Sequence, residues 1–378
     1  MKSDLTSDQT EQLEKFAGFV ISHKHLTTAY EKSFNAVCRT TGPRVVIVTG
    51  PTGVGKSTLA DRLYKRLLAA YEDEMTADPG FIPVATTTAV APNNKRFGWK
   101  DYYYRFLEKY QDPLVERKLP GAYQSGLFEE QQNLHRWANS SPDALRRGVE
   151  LYLHHRRTKV LIIDEAHHIL MVDKPGTLEC QFETLKSLTI ETNTTIVLVG
   201  TYRLLDIREY SGQLVRRSQI VHLPRYDVRD QEDRQVFTNF AHSMLRQLPI
   251  TTNVAPDILM DYFYDKTGGC VGILKDWLAR CLEECLKGGK SSYDLDDLEE
   301  YYVLDNSGMC TIVAEAKAGE ARLKDVSKEE VRRLLYEEDV PRSNLIFPST
   351  QKRRSRSRIG ERLPVRDPVG GALNVANA

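Results

Sequence analysis

The sequence predicts an α/β fold in which a parallel sheet presents a nucleotide-binding edge, and three stretches predict it. The first is Val45-Val46-Ile47-Val48-Thr49-Gly50-Pro51-Thr52-Gly53-Val54-Gly55-Lys56-Ser57-Thr58: a β-branched run, a glycine-rich loop, then a segment (Leu59 to Tyr71) with helical spacing of apolar residues. The second is Lys159-Val160-Leu161-Ile162-Ile163-Asp164-Glu165-Ala166-His167-His168, whose four consecutive apolar residues imply a strand buried on both faces and ending in paired carboxylates. The third, Thr195-Ile196-Val197-Leu198-Val199-Gly200-Thr201, is a further buried strand with a hydroxyl at its end. Ligands in such sheets bind at the C-terminal ends of the strands, where all three stretches place their polar residues.

The first stretch fits the P-loop pattern G-x-x-x-x-G-K-[ST] between a strand and a helix. Its glycines let backbone N–H groups turn inward on a phosphate, and the helix start adds unpaired N–H groups and a positive dipole end. Gly50 to Thr58 are therefore expected to bind ATP, with Lys56 reaching the β- and γ-phosphates and the Ser57 hydroxyl holding Mg²⁺. In the second stretch, Asp164 is expected to hold the same Mg²⁺ through water, and Glu165 to orient and polarise the attacking water as general base. The Thr201 hydroxyl, on a strand beside those carboxylates, is expected to sense the γ-phosphate or hold the water. His167 and His168 have no ligand-spaced partners and read as packing or polar positions.

The chain of 378 residues is long enough for two or three structural units. Lys and Arg (52) balance Asp and Glu (52), so only local charge can argue for or against nucleic acid. The six cysteines are scattered without a CxxC pair. Cys281 and Cys285 share a helix face but supply half a zinc site, and the thiols read as core residues in a reducing compartment. No apolar leader and no run approaching the ~20 apolar residues of a membrane span is present. A cytoplasmic protein without a membrane partner is expected.

Five divisions follow from composition. Residues 1–20 are polar and expected to be flexible. Residues 21–226 make the α/β nucleotide-binding domain, which opens on a helix from about Leu26 to Arg39. That helix serves either as packing or as a wall for the adenine. A strand over Phe81 to Val90, despite Pro83, leads to the loop Pro92-Asn93-Asn94-Lys95-Arg96-Phe97-Gly98-Trp99-Lys100. Its Lys95, Arg96 and Lys100 suit DNA phosphates while the aromatics fix the loop, with a solvated surface loop as the competing reading. Residues 111–142 read as an insertion, and helices are expected from Ser141 or Asp143 to about Arg157 and over Gln181 to Thr189. Arg216-Arg217 precede the last core strand, Gln219 to Leu223. Ring-forming ATPases present an arginine finger to the next subunit from that position, so Arg217 and then Arg216 are candidates, against a simple surface pair.

Residues 227–290 show helical patterns at Val236 to Leu245, Asp257 to Tyr264 and Ile273 to Leu286, an all-α lid. The turn Thr267-Gly268-Gly269-Cys270-Val271-Gly272-Ile273-Leu274-Lys275 sets Lys275 where it could reach back to the phosphates. Residues 291–341 read as a C-terminal helical extension. Residues 342–378, with the run Gln351-Lys352-Arg353-Arg354-Ser355-Arg356-Ser357-Arg358, read as a basic tail disordered until it meets an acidic partner or nucleic acid.

The order and spacing of these motifs resemble the AAA+ ATPases. Within them the chain looks most like the TniB/TnsC family of transposition regulators, through the leading helix before Gly-Pro-Thr-Gly-Val-Gly-Lys-Ser, then Ile-Ile-Asp-Glu-Ala-His-His, and Leu-Val-Gly-Thr at the third strand. The likeness covers about residues 20–290. It implies an ATP-dependent homo-oligomer, a hexameric or heptameric ring or a helical filament, on double-stranded DNA. It also implies that the chain bridges a TniQ/TnsD-type target selector and a transposase. The resemblance assigns Lys95, Arg96 and Lys100 to the inner surface that tracks DNA phosphates. Two other readings stay open: an initiator-like DNA loader, and a signalling or scaffold ATPase that does not bind DNA.

Overall fold

The computed structural model describes residues 5–39, 41–93, 96–110, 140–172, 178–207, 216–252, 254–302 and 304–336. Lys95, most of the expected insertion and the basic tail lie outside the described residues.

Five runs rich in Val, Ile and Thr pair in parallel: β1 (Val45–Thr49), β2 (Val84–Thr88), β3 (Val160–Asp164), β4 (Thr195–Gly200) and β5 (Ser218–His222), in the order β2-β3-β4-β1-β5. Every residue of β1 is buried, which is why its sequence is continuously apolar rather than alternating. Successive residues serve opposite faces. Ile47, Leu161, Ile163 and Leu198 enter one core with α5 (Trp99–Tyr110), α6 (Pro142–His155) and α7 (Leu178–Thr192). Val46, Val48, Ile162, Val197 and Val199 enter the other with α2 (Lys24–Cys38) and α3 (Lys56–Ala70). β2 starts later than expected, after Pro83. That residue has no N–H for the ladder, but its carbonyl accepts from the Lys159 and Val160 amides. The register pairs Thr49 with Gly200 and Thr88 with Asp164, so the strands end together on one edge.

The lid is α8 (Gln231–Leu245), α9 (Pro256–Thr267) and α10 (Val271–Lys287), packed around Phe237, Phe263, Leu274 and Trp277. The boundary expected at 290 moves, because Tyr293 and Leu298 are buried in this same core and Trp277 Nε1 donates to the Leu298 carbonyl at 2.8 Å. The lid is also not purely helical: Thr251–Thr252 pairs in parallel with Ser292–Tyr293, ahead of α11 (Leu295–Glu300).

The expected flexible N-terminus is corrected by α1 (Ser7–Gly18). Thr6 and Gln9 form a capping box at its start. Phe16, 2% exposed, is buried in the lid core, and Gln9 Nε2 donates to the Leu286 carbonyl at 2.8 Å.

Beyond the lid, α12 (Asn306–Arg322) returns to the α/β unit and α13 (Lys328–Tyr336) follows. Gly319 lies against the Tyr202 ring so closely that a Cβ there would sit 2.1 Å from Tyr202 Cγ. Glu320 pairs with Arg225 at 3.0 Å and Arg322 with Asp206 at 2.7 Å. No helix among the described residues is long and apolar enough to cross a membrane.

Candidate nucleotide site

After β1 the chain turns through Gly53 (φ 77°) and Gly55 (φ 94°), left-handed conformations that glycine adopts without a Cβ penalty. Gly55 caps α3, so the first free N–H groups of that helix face the loop. Lys56 Nζ donates to the carbonyls of Gly50 (3.1 Å) and Pro51 (2.7 Å). Burial holds this ammonium below its ordinary value, while Glu165 and Asp164 pull the other way. A cation so desolvated favours an arriving anion. Thr52 and Ser57 are exposed beside it, with Thr58 half-buried.

β3 delivers Asp164, whose Oδ1 accepts the Glu165 amide at 2.8 Å. Glu165 sits at φ 52°, a conformation costing about 1 kcal/mol or more in a residue other than glycine and typical of functional turns. It swings the carboxylate to 3.3 Å from His167 Nδ1. That contact falls short of hydrogen-bond geometry, leaving Nδ1 buried without a partner among the described residues. The His167 imidazole is pushed down to about 4, first by burial, then by His168, Lys56 and Arg203. His168 does structural work, joining the Ala89 carbonyl at 2.7 Å and tying the end of β3 to that of β2. The expectation that both histidines are packing or polar positions fits His168, whereas His167 lies inside the site. Its signal in the sequence is position alone, two residues past Glu165.

Just past β4, the Thr201 Oγ1 is buried and has no hydrogen-bond partner among the described residues. An orphan hydroxyl of this kind costs about 1–3 kcal/mol until a ligand satisfies it. It lines a cavity of ≈ 490 Å³ with Thr52, His167, Tyr202, Arg203 and residues of α12. On the other side of the loop, a smaller apolar cavity of ≈ 50 Å³ is lined by Phe19, Ile21, Leu26, Gly55, Thr58 and Lys275. Leu26 of α2 lines this cavity and also packs in the core beneath it.

The start of α10 rests on the loop, Gly272 N donating to the Gly53 carbonyl at 2.6 Å. Lys275 Nζ is held by the Ala17 carbonyl at 2.6 Å, so the expected reach to the phosphates is not the arrangement seen.

Arg216 and Arg217 are exposed at the head of β5, where the Arg217 carbonyl accepts the Arg44 amide at 3.0 Å. Ser218 pairs with Val45, which puts both arginines at the sheet edge opposite their own P-loop. From there neither lies beside its own P-loop.

Arg96 and Lys100 are exposed, and Arg96 lines a ≈ 310 Å³ cavity with Thr88 and Arg105. The aromatics are anchors rather than base platforms. Phe97 is 5% exposed and meets Trp99 edge-on at 5.1 Å, while the Trp99 indole N–H bonds Gln181.

Residues 39–207 match the family model described as an AAA domain. That stretch is similar to an AAA domain. The matched stretch holds the P-loop, both carboxylates and Thr201. A search of curated proteins finds no match. The chain is similar in structure to the ORC2 protein of Aeropyrum pernix in its ADPNP-ADP complexes, at 14% identity and TM-score 0.49 over 84% of this chain and 74% of that one. A Walker-type ATPase of Pyrococcus abyssi gives 16%, 0.45, 83% and 76%. Domain III of the Thermotoga maritima replication initiation protein DnaA gives 16%, 0.41, 79% and 96%.

Proposed function

We propose that the chain is a Mg²⁺-dependent AAA+ ATPase that assembles on duplex DNA, as a ring or a helical filament, and links a TniQ/TnsD-type target selector to a transposase. In this reading the triphosphate runs over the P-loop from the apolar cavity, which takes the base, to the cavity beneath Thr201, which takes the terminal phosphate. Lys56 leaves its two carbonyls for phosphate oxygens. Glu165 orients the attacking water and accepts its proton, and Thr201 donates to the γ-phosphate or holds that water. Bound between Ser57 and Asp164, Mg²⁺ would neutralise developing charge on the phosphates. Arg217, with Arg216 beside it, would complete the pocket of a neighbouring subunit.

One observation carries the DNA-binding part. The exposed Arg96 and Lys100 lie on either side of buried Phe97, after β2, whose last residue, Thr88, is paired in register with Asp164. Cations on so short a tether from the nucleotide carboxylates are placed to couple phosphate-backbone contact to nucleotide state. The transposition role is supported by the likeness of the motifs to the TniB/TnsC family.

The test is anisotropy of labelled duplex DNA with ATP or ADP over a range of salt. The expected result is ATP-dependent binding that weakens steeply with salt, with Arg96→Ala lowering the log–log slope by about 1. A flat salt response or no binding favours the scaffold reading and overturns this one.

A further inference from the structure

The segment just past Thr201 is built in an unusual way for a surface turn. Tyr202, Leu204 and Leu205 are all buried, 3%, 0% and 1% exposed. The Tyr202 hydroxyl joins His222 Nε2 at 2.8 Å and its ring is pressed on Gly319, while Asp206 is taken by Arg322. This short 3₁₀ turn, Tyr202–Asp206, is therefore pinned at four of its five residues. Arg203 is the fifth, and it is exposed.

Among the described residues Arg203 makes no ion pair or hydrogen bond, although Glu315 of α12 lines the same ≈ 490 Å³ cavity. That cavity also holds Thr52 of the P-loop, Thr201 and His167, and a second one of ≈ 280 Å³ again brings Arg203 and His167 together.

We infer that Arg203 is a ligand of the terminal phosphate supplied by the same chain, one that distinguishes ATP from ADP. This rests on the nucleotide reading above and goes beyond it by naming a residue and a role. The guanidinium presents a planar fork of donors suited to two phosphate oxygens, and its neighbour Thr201 offers one more. With ADP bound, only the part of the triphosphate over the P-loop is present, and Arg203 is left without a phosphate to hold. The role differs from that of Arg216 and Arg217, which sit on the opposite sheet edge.

Competition binding of fluorescent nucleotide against ADP and against a non-hydrolysable β,γ-imido ATP analogue, on the full chain, tests this. The parent should bind both; if it binds neither, the nucleotide reading itself fails. If the parent binds both, Arg203→Ala is expected to weaken the ATP analogue by about 10- to 100-fold and to leave ADP within about twofold. Arg203→Lys should recover part of the loss, because it restores the charge without the fork. Unchanged affinity for the analogue, or an equal loss for both nucleotides, would overturn the assignment.

Discussion

The two walls of the nucleotide pocket are held in different ways. The inner wall, carrying Lys56, Asp164, Glu165 and Thr201, ends strands whose backbones are paired across a five-stranded sheet with apolar residues packed on both faces. The outer wall is α12, reached only after the lid. It is held by the Tyr202–Gly319 contact and by two ion pairs, Arg225–Glu320 and Arg322–Asp206. The difference teaches where this molecule keeps its chemistry and where it can give way. The inner wall is held by the backbone ladder of a sheet, and the outer wall is held to the α/β unit by side-chain contacts.

Three changes sharpen that contrast, the largest first. Glu165→Gln touches only the inner wall, and is expected to lower ATP turnover by about 10²- to 10⁴-fold while ATP affinity is kept, read by phosphate release and equilibrium binding. Turnover at the parental rate would remove the general base from this position.

Arg225→Ala strikes the outer wall. Arg225 is 6% exposed, donates to the Gly268 carbonyl at 3.3 Å and pairs with Glu320, so it joins the turn between α9 and α10 to α12. Removing one partner of a buried pair costs about 3 kcal/mol. Denaturant unfolding should show that loss, together with faster proteolysis of 306–336. A cost near zero would mean that α12 is not clamped here.

The third change is acid, which acts at the junction between the units. His23, bonded to Tyr226 at 2.7 Å, and His222, bonded to Tyr202, are each held down to about 4, burial being the first cause in both. Their folded values lie below the ~6.5 of an unfolded histidine, so between those limits the unfolded chain binds more protons. Stability should therefore fall as pH drops through 6.5 and level off near 4, by on the order of 3 kcal/mol for His23. Replacing His23 with Asn should remove its share of that pH dependence of the melting temperature, leaving the part due to His222 and His167. An unaltered pH profile would contradict the buried neutral imidazole.

The inner wall was legible in the sequence and the outer wall was not. A β-branched run that stops at Gly50, and another that stops at Asp164, announce strand ends locally, and the parallel sheet follows from runs too apolar to be half-exposed. The strand order is not local and needed the structure. The docking of α12 joins Glu320 to Arg225 and Gly319 to Tyr202 across about a hundred residues of chain, and no spacing rule reports such contacts. Helix α1 was legible but passed over. Thr6-x-x-Gln9 is a helix-start pattern, masked by the polar composition around Phe16. His167 lacks metal-spaced partners, yet a residue two past Glu165 can enter the site without any metal. The place of Arg203 depends on its neighbours being buried, and the apolar spacing of Tyr202, Leu204 and Leu205 hints at that only once the strand end is fixed.

The central claim is that Lys56 and the carboxylates ending β3 grip one triphosphate. Equilibrium binding of a fluorescent ATP analogue with Mg²⁺, parent against Lys56→Ala, tests it most directly. The account predicts saturable, metal-dependent binding by the parent and a loss of about 100-fold or more in the variant. Equal affinity in the two proteins, or no metal-dependent binding by the parent, would contradict it.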